Sequence, residues 1–400
     1  MRRQAFLITL IFFALSAGMG LWIRLAPWVE LPWEYRNMIH AHSHVALLGW
    51  AFNILLLALI ERFLGPAWLR RGYRRKVFWS MQILVGLMLI FFAREGYAAV
   101  SITASSLHIV GSYWLILAMA RNAGAFQRAE TPQMLLFQNA LIALALSSLG
   151  PWALAVISAQ GGAGTPLYDS AIYWYLHFSY NGWLTLGWLA VAMHWAMPRI
   201  KSWSALQQRG LVLFIATTYA SYLLSLLEFD LGTAWVSGAS AIGLLHLISW
   251  FMMIYPLWPL RHQMPQSIRG WTVAAGAIVS LKIAAQFFST MPGIMEWAFH
   301  QRDIIIAYIH WTFLGWISLA SLIYMFRNYP KRVPILAGFS LFFLGFITQE
   351  IVLGMRALGH HDMANEGLAL ASSMMLAGII YLLFNVRHIP KLRAHHEPQS

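Results

Sequence analysis

Three histidines each begin the same short string, His-x4-Gly-Trp: His44 with Gly49 and Trp50, His177 with Gly182 and Trp183, and His310 with Gly315 and Trp316. They stand 133 residues apart and then 133 again (177 − 44 and 310 − 177) in a chain of 400. At this chain's usage of glycine and tryptophan, its fifteen histidines would produce about 0.05 such matches by composition alone. The period therefore marks three internal repeats, at about 1–133, 134–266 and 267–400. Each repeat places an imidazole in an equivalent position. Imidazole is the commonest protein ligand of haem iron and also suits copper.

Four more histidines fall near the same depth: His40, His42, His108 and His246. In a helix, His40 and His44 share a face while His42 points nearly the opposite way, so one helix can serve two sites. The alternative for His40 is a cap at the helix start. For His108 or His246 taken alone, it is a core histidine bonded to a carbonyl. Glycine five residues after each repeat histidine lies about 140° around an α-helix. There it admits either a neighbouring helix or a flat porphyrin. Lys282 and Gln286 stand one turn apart within an apolar run, where a polar pair is a functional candidate. Arg36, Arg94, Arg302 and Arg356 are placed to pair haem propionates, or else are plain interfacial charges.

The elements that position these residues are membrane helices. Hydrophobic residues make up 60% of the chain and charged residues 10%, against about 25% charged in soluble domains. Apolar runs predict twelve spans, at 5–23, 39–60, 77–93, 97–120, 134–158, 171–196, 210–228, 235–259, 270–290, 303–326, 334–353 and 367–386. The first reads as a retained helix, because its apolar run is long for a signal peptide and no clear cleavage site follows. Four spans fall in each repeat, so the fold class is an all-α integral membrane protein, a single domain of three pseudo-symmetric groups of four. The repeat histidines sit on spans 2, 6 and 10, which all run inward. The repeats are thus parallel, unlike transporters with inverted triplets inside each half. Span 4 (Leu107-His108) and span 8 (Leu245-His246) echo each other more weakly, and span 12 carries no histidine.

The net charge of +13 is topology rather than a nucleic-acid signal. One side of the membrane carries five cations (Arg24, Arg36, Arg94, Arg302, Arg356) and Lys282 lies within a span, leaving 21 of the 27 Lys and Arg for the other side. These include Arg2, Arg3, the run Arg70, Arg71, Arg74, Arg75 and Lys76, and Arg327, Lys331 and Arg332. By the positive-inside rule both termini are cytoplasmic, with the lipid bilayer and its anionic headgroups as partners. Counted from the outer end, each span histidine lies within about 16 Å of that surface. The absence of cysteine excludes disulfides, thiolate metal sites, iron–sulfur clusters and covalent c-type haem. A haem here would be non-covalent haem b.

Twelve spans in three groups of four, with histidines on spans 2, 6 and 10, resemble subunit I of the haem-copper oxidase superfamily. The string HAHSHVALLGW is also similar to the HAHEMLFGF-type motif of the NnrS family of haem- and copper-containing membrane proteins, with His42 and His44 matching its HAH pair. The oxidase resemblance implies that span 2 and span 10 histidines sandwich a low-spin haem. By matched position, His40, His42, His44 and His310 look like haem ligands, and His177 looks like the span 6 copper ligand. The chain departs from the oxidase pattern in three places. Span 7 has no histidine, span 10 has one where the family has His-x-His, and Asn181 stands where some members have tyrosine.

The reading is a haem-binding membrane protein with a redox, oxygen or nitric-oxide role, with His42 or His44 paired with His310. Arg36 and Arg302 stand near the cofactor, and His177, His246 and His108 line a second site that would take copper. A cytochrome or quinol donor, or other membrane subunits, would be its partners, in a bacterial inner membrane. The alternative is a metal- or haem-handling transporter or sensor without oxidase turnover.

Overall fold

The computed structural model describes residues 2–70, 72–123, 131–200, 202–327 and 333–386. Arg71, Lys331 and Arg332 of the basic clusters lie outside the described residues, as do Met1 and 387–400. The described chain is helical throughout, and eleven of its helices are long and apolar enough to cross a membrane. In chain order these are α1 (Arg2–Leu25), α2 (Tyr35–Leu64), α3 (Gly72–Glu95), α4 (Ala99–Ala123), α5 (Pro132–Ala159), and then α7 (Ala205–Phe229), α8 (Thr233–Gln263), α9 (Gln266–Phe288), α10 (Arg302–Phe326), α11 (Val333–Ala357) and α12 (Ala364–Val386). Between α5 and α7 runs α6, residues 166–196. It is as long as the others, but its Tyr, Trp, His and Asn make it less apolar, and its middle is buried in protein rather than turned to lipid.

Helix starts follow local chemistry. Pro132 and Pro166 open α5 and α6, at positions where a missing N–H costs nothing. Ser204 and Gln207 form a reciprocal capping box at the start of α7. Gly65 ends α2 at φ +82°, a conformation that favours glycine.

The repeat has a backbone signature. A π-helical segment begins one residue after each repeat histidine: Val45–Ala51 in α2, Phe178–Leu186 in α6 and Trp311–Ser318 in α10. Such segments are rare and are often found at functional sites. Their hydrogen bonds join residues five apart, so the helix is wound more loosely there and the glycine lies nearer the histidine's face than the 140° of a straight α-helix. All three glycines are close-approach positions to a neighbouring helix. A Cβ on Gly49 would meet Phe12 at 2.8 Å, on Gly182 it would meet Ala143 at 2.4 Å, and on Gly315 it would meet Phe346 at 2.6 Å. Helix approach, not a porphyrin face, is what these glycines serve.

The repeat tryptophans join α2, α6 and α10 at the centre. Trp50 Nε1 donates to Ser318 Oγ (2.9 Å), two residues beyond Trp316. Trp316 Nε1 donates to Thr185 Oγ1 (3.3 Å), two residues beyond Trp183. The third link would run from Trp183 to the residue two beyond Trp50, which is Phe52. That side chain has no acceptor, and the rings meet instead at 5.6 Å, leaving Trp183 Nε1 buried without a partner.

Candidate functional site

The span histidines separate into three groups. The first lies around a cavity of about 280 Å³ walled by α1, α2, α10, α11 and α12, with His42 and His310 both lining it. His42 Nδ1 is 2.7 Å from the carbonyl oxygen of Ser16 on α1, so it is the protonated nitrogen and Nε2 keeps its lone pair. Gly20, one turn beyond Ser16, gives the His42 ring room: a Cβ there would stand 3.1 Å from it. His310 Nδ1 lies 2.9 Å from the side-chain amide of Gln349 on α11. Ligation through His310 Nε2 requires the Gln349 oxygen, not its nitrogen, to face Nδ1, an exchange of two nearly isosteric ends. The rest of the wall is mainly apolar, including Phe13, Ile39, Phe313, Leu314 and Phe342.

The cavity continues into an outer chamber of about 390 Å³ that shares Ile23, Arg24, Tyr35, Arg302 and Ile306 with it. Arg356 also lines the outer chamber and is paired with Asp303 at 3.1 Å. Three arginines therefore meet at one mouth. Arg302 and Arg356 stand where a propionate partner is expected. Arg36 and Arg94 line neither chamber and are exposed, which removes Arg36 from the candidate site. Arg24 takes its place. Its signal in the sequence was its position as the last-turn cation of α1, at the same depth as the other outer arginines.

The second group sits on the opposite face of α2. His44 stacks on Phe92 of α3 (4.2 Å between ring centroids, 4° between planes) and makes a long contact to Tyr97 Oη at 3.5 Å. His40 meets the same Tyr97 edge-on at 4.8 Å. The divergence of His42 from His40 and His44 expected from helix geometry is realised, and it is His42, not His44, that lines the cavity. His108 belongs to this group as well. It is 1% exposed, packs edge-on against Phe52 at 5.2 Å, and its Nε2 has no hydrogen-bond partner.

The third group lies between α6, α7, α8 and α9. His177 Nε2 donates to the Thr218 carbonyl (2.9 Å), and His177 Nδ1 accepts from Asn181 Nδ2 (3.1 Å). Asn181 Oδ1 in turn accepts from Lys282 Nζ. Thr217 Oγ1 donates to the Leu213 carbonyl (2.7 Å), so it accepts from His246 Nδ1 (2.9 Å). His246 stacks on Phe214 at 4.7 Å. The expectation that His108, His177 and His246 share one site is therefore corrected, because His108 faces α2 and the other two face α7 and α9. Both ring nitrogens of His177 are already committed. Among the described residues no three His, Asp or Glu side chains come together as a metal ion would require.

Two carboxylates at or near helix ends resolve differently. Glu228 accepts from Tyr173 Oη at the outer end of α7. Glu350 follows Gln349 on α11, and its Oε1 is buried without a partner.

No protein-family model matches this chain, and no curated protein is significantly similar to it. The geometry alone carries the functional reading.

Proposed function

We propose that this chain is a b-type haem protein of the membrane, a divergent relative of haem-copper oxidase subunit I with local similarity to NnrS, and that it holds a non-covalent haem between His42 and His310. The observation that carries the reading is that these two imidazoles, from helices far apart in sequence, line one apolar cavity whose mouth gathers Arg24, Arg302 and Arg356. The two connected chambers together fall within the range of about 300–1,000 Å³ that small-molecule and cofactor sites occupy.

The donor set fits haem. Iron-ligating histidines usually donate their second nitrogen to a carbonyl, which orients the ring and raises its basicity; the Ser16 carbonyl does this for His42. Guanidinium groups pair carboxylates with two parallel hydrogen bonds, so the arginine mouth suits propionates at the outer membrane surface. The apolar wall would keep water from a haem held there. A bound haem would supply one-electron iron chemistry. The protein's part would be to hold the iron with His42 and His310, neutralise the propionates with Arg24, Arg302 and Arg356, and keep the site dry. This reading comes with twelve spans in three parallel groups of four, both termini cytoplasmic, in a bacterial inner membrane. The role is electron transfer or the handling of oxygen or nitric oxide, served by a cytochrome or quinol donor.

Purified protein tests it. A Soret band, with an α band that sharpens on dithionite reduction, is expected. A colourless preparation that is also negative in iron analysis removes the haem reading and leaves the transporter or sensor alternative.

A further inference from the structure

The resemblance to haem-copper oxidases implies a copper ion near His177, and the residues around His177 do not fit one. The imidazole spends Nε2 on the Thr218 carbonyl and Nδ1 on Asn181. Asn181 is capped in turn by Lys282, which is 2% exposed. The Lys282 amino group reaches Asn181 Oδ1 and, at 3.5 Å, Gln286 Oε1. Both partners are amide oxygens, and no carboxylate pairs with Lys282 among the described residues. The lysine also lies within electrostatic reach of both His177 and His246. His246 has its own second-nitrogen support from Thr217, as a metal-ligating histidine would.

We propose that the amino group of Lys282 occupies the place of a metal ion in the site formed by α6, α7, α8 and α9, locking His177 through Asn181 and keeping transition metals out. The chemistry on both sides of the substitution is the same. A cation-binding position framed by the amide oxygens of Asn181 and Gln286, with His177 behind Asn181, is filled by a tethered nitrogen on a flexible stem instead of a free ion. Lysine does this without recruiting a third ligand, which matches the lack of any histidine on α7. A buried amine in the membrane is costly and persists where it has a role; here the role is occupancy. The site would then orient α6 against α9 and leave redox chemistry to the cavity at His42 and His310.

The test is metal loading of detergent-purified full-length protein. Wild type, Lys282→Ala and Lys282→Met are equilibrated with Cu²⁺ or Zn²⁺, and bound metal is counted by elemental analysis, with the nitrogen hyperfine pattern of Cu²⁺ read by paramagnetic resonance. The expected result is no His246-dependent metal in wild type. At least one of the two variants gains about one ion per chain, and adding His246→Ala removes that ion. Two variants of different size guard against one that does not fold. Wild-type protein that carries copper lost on His246→Ala overturns the proposal. So does a failure of folded Lys282 variants to gain any metal. The haem reading stands or falls on the Soret band and iron content, so failure of one proposal is distinguishable from failure of the other.

Discussion

The cavity at His42 and His310 and the network at His177 and His246 grow from the same repeated string and end as opposites. At His310 the ring has one neighbour, Gln349, and its other nitrogen is left for the cavity. At His177 both nitrogens are bound, and a lysine holds the Asn181 amide that bonds one of them. The string, the π-helical segment and the buried tryptophan are common to both. What differs is the helix that faces each histidine. The facing helix α9 brings Lys282 to the Asn181 that bonds His177, whereas α1 brings Gly20 and the Ser16 carbonyl to His42. A shared backbone device thus positions an imidazole, and its neighbours decide whether that imidazole is a ligand or a structural pin.

The strongest way to break this contrast is to delete one histidine from each region. His310→Ala is expected to abolish the low-spin haem spectrum, whereas His177→Ala leaves the Soret band in place. Equal loss in both variants, read by absorbance per protein, would erase the distinction. Next in size is the packing shared by the repeats. Gly182→Ala puts a Cβ 2.4 Å from Ala143 and is expected to destabilise by about 1–3 kcal/mol. Gly238→Ala, with nothing within 4 Å, should be neutral in the same thermal-melt assay.

A smaller effect sharpens the cavity's mouth. Removing Arg24 and Arg302 together should weaken haem retention by about 1 kcal/mol, since charge-assisted bonds at a partly solvated mouth are screened. Arg36→Ala should leave retention unchanged. Apo-protein reconstitution titrations would measure both, and an equal effect of Arg36→Ala would relocate the propionate site. The smallest effect concerns the tryptophan ring at the centre. Ser318→Ala removes the acceptor of Trp50 and should cost about 0.6 kcal/mol, the usual worth of an interhelical hydrogen bond in a membrane. The third arm, at Phe52, has no such bond to lose.

Much of this was legible from residue order. The divergence of His42 from His40 and His44 follows from a 100° step per residue, but residue order alone leaves both His42 and His44 open as the partner of His310. Arg302 was legible as a cation at the outer end of an inward-running helix. Arg24, the last-turn cation of α1, carried a weaker signal, because membership of the mouth depends on α1 standing across the cavity from α10 and α11. The separation of His108 from His177 and His246 was equally hidden. Equal depth says nothing about which neighbouring helix a side chain faces.

The sequence by itself determined an apolar all-helical membrane chain, its 133-residue period and a layer of imidazoles near one surface, because hydropathy and spacing are properties of the chain alone. Only the tertiary structure decided which imidazole keeps a free nitrogen. That depends on what stands across a helix interface: a backbone carbonyl and a glycine at His42, an amide tied to a lysine at His177.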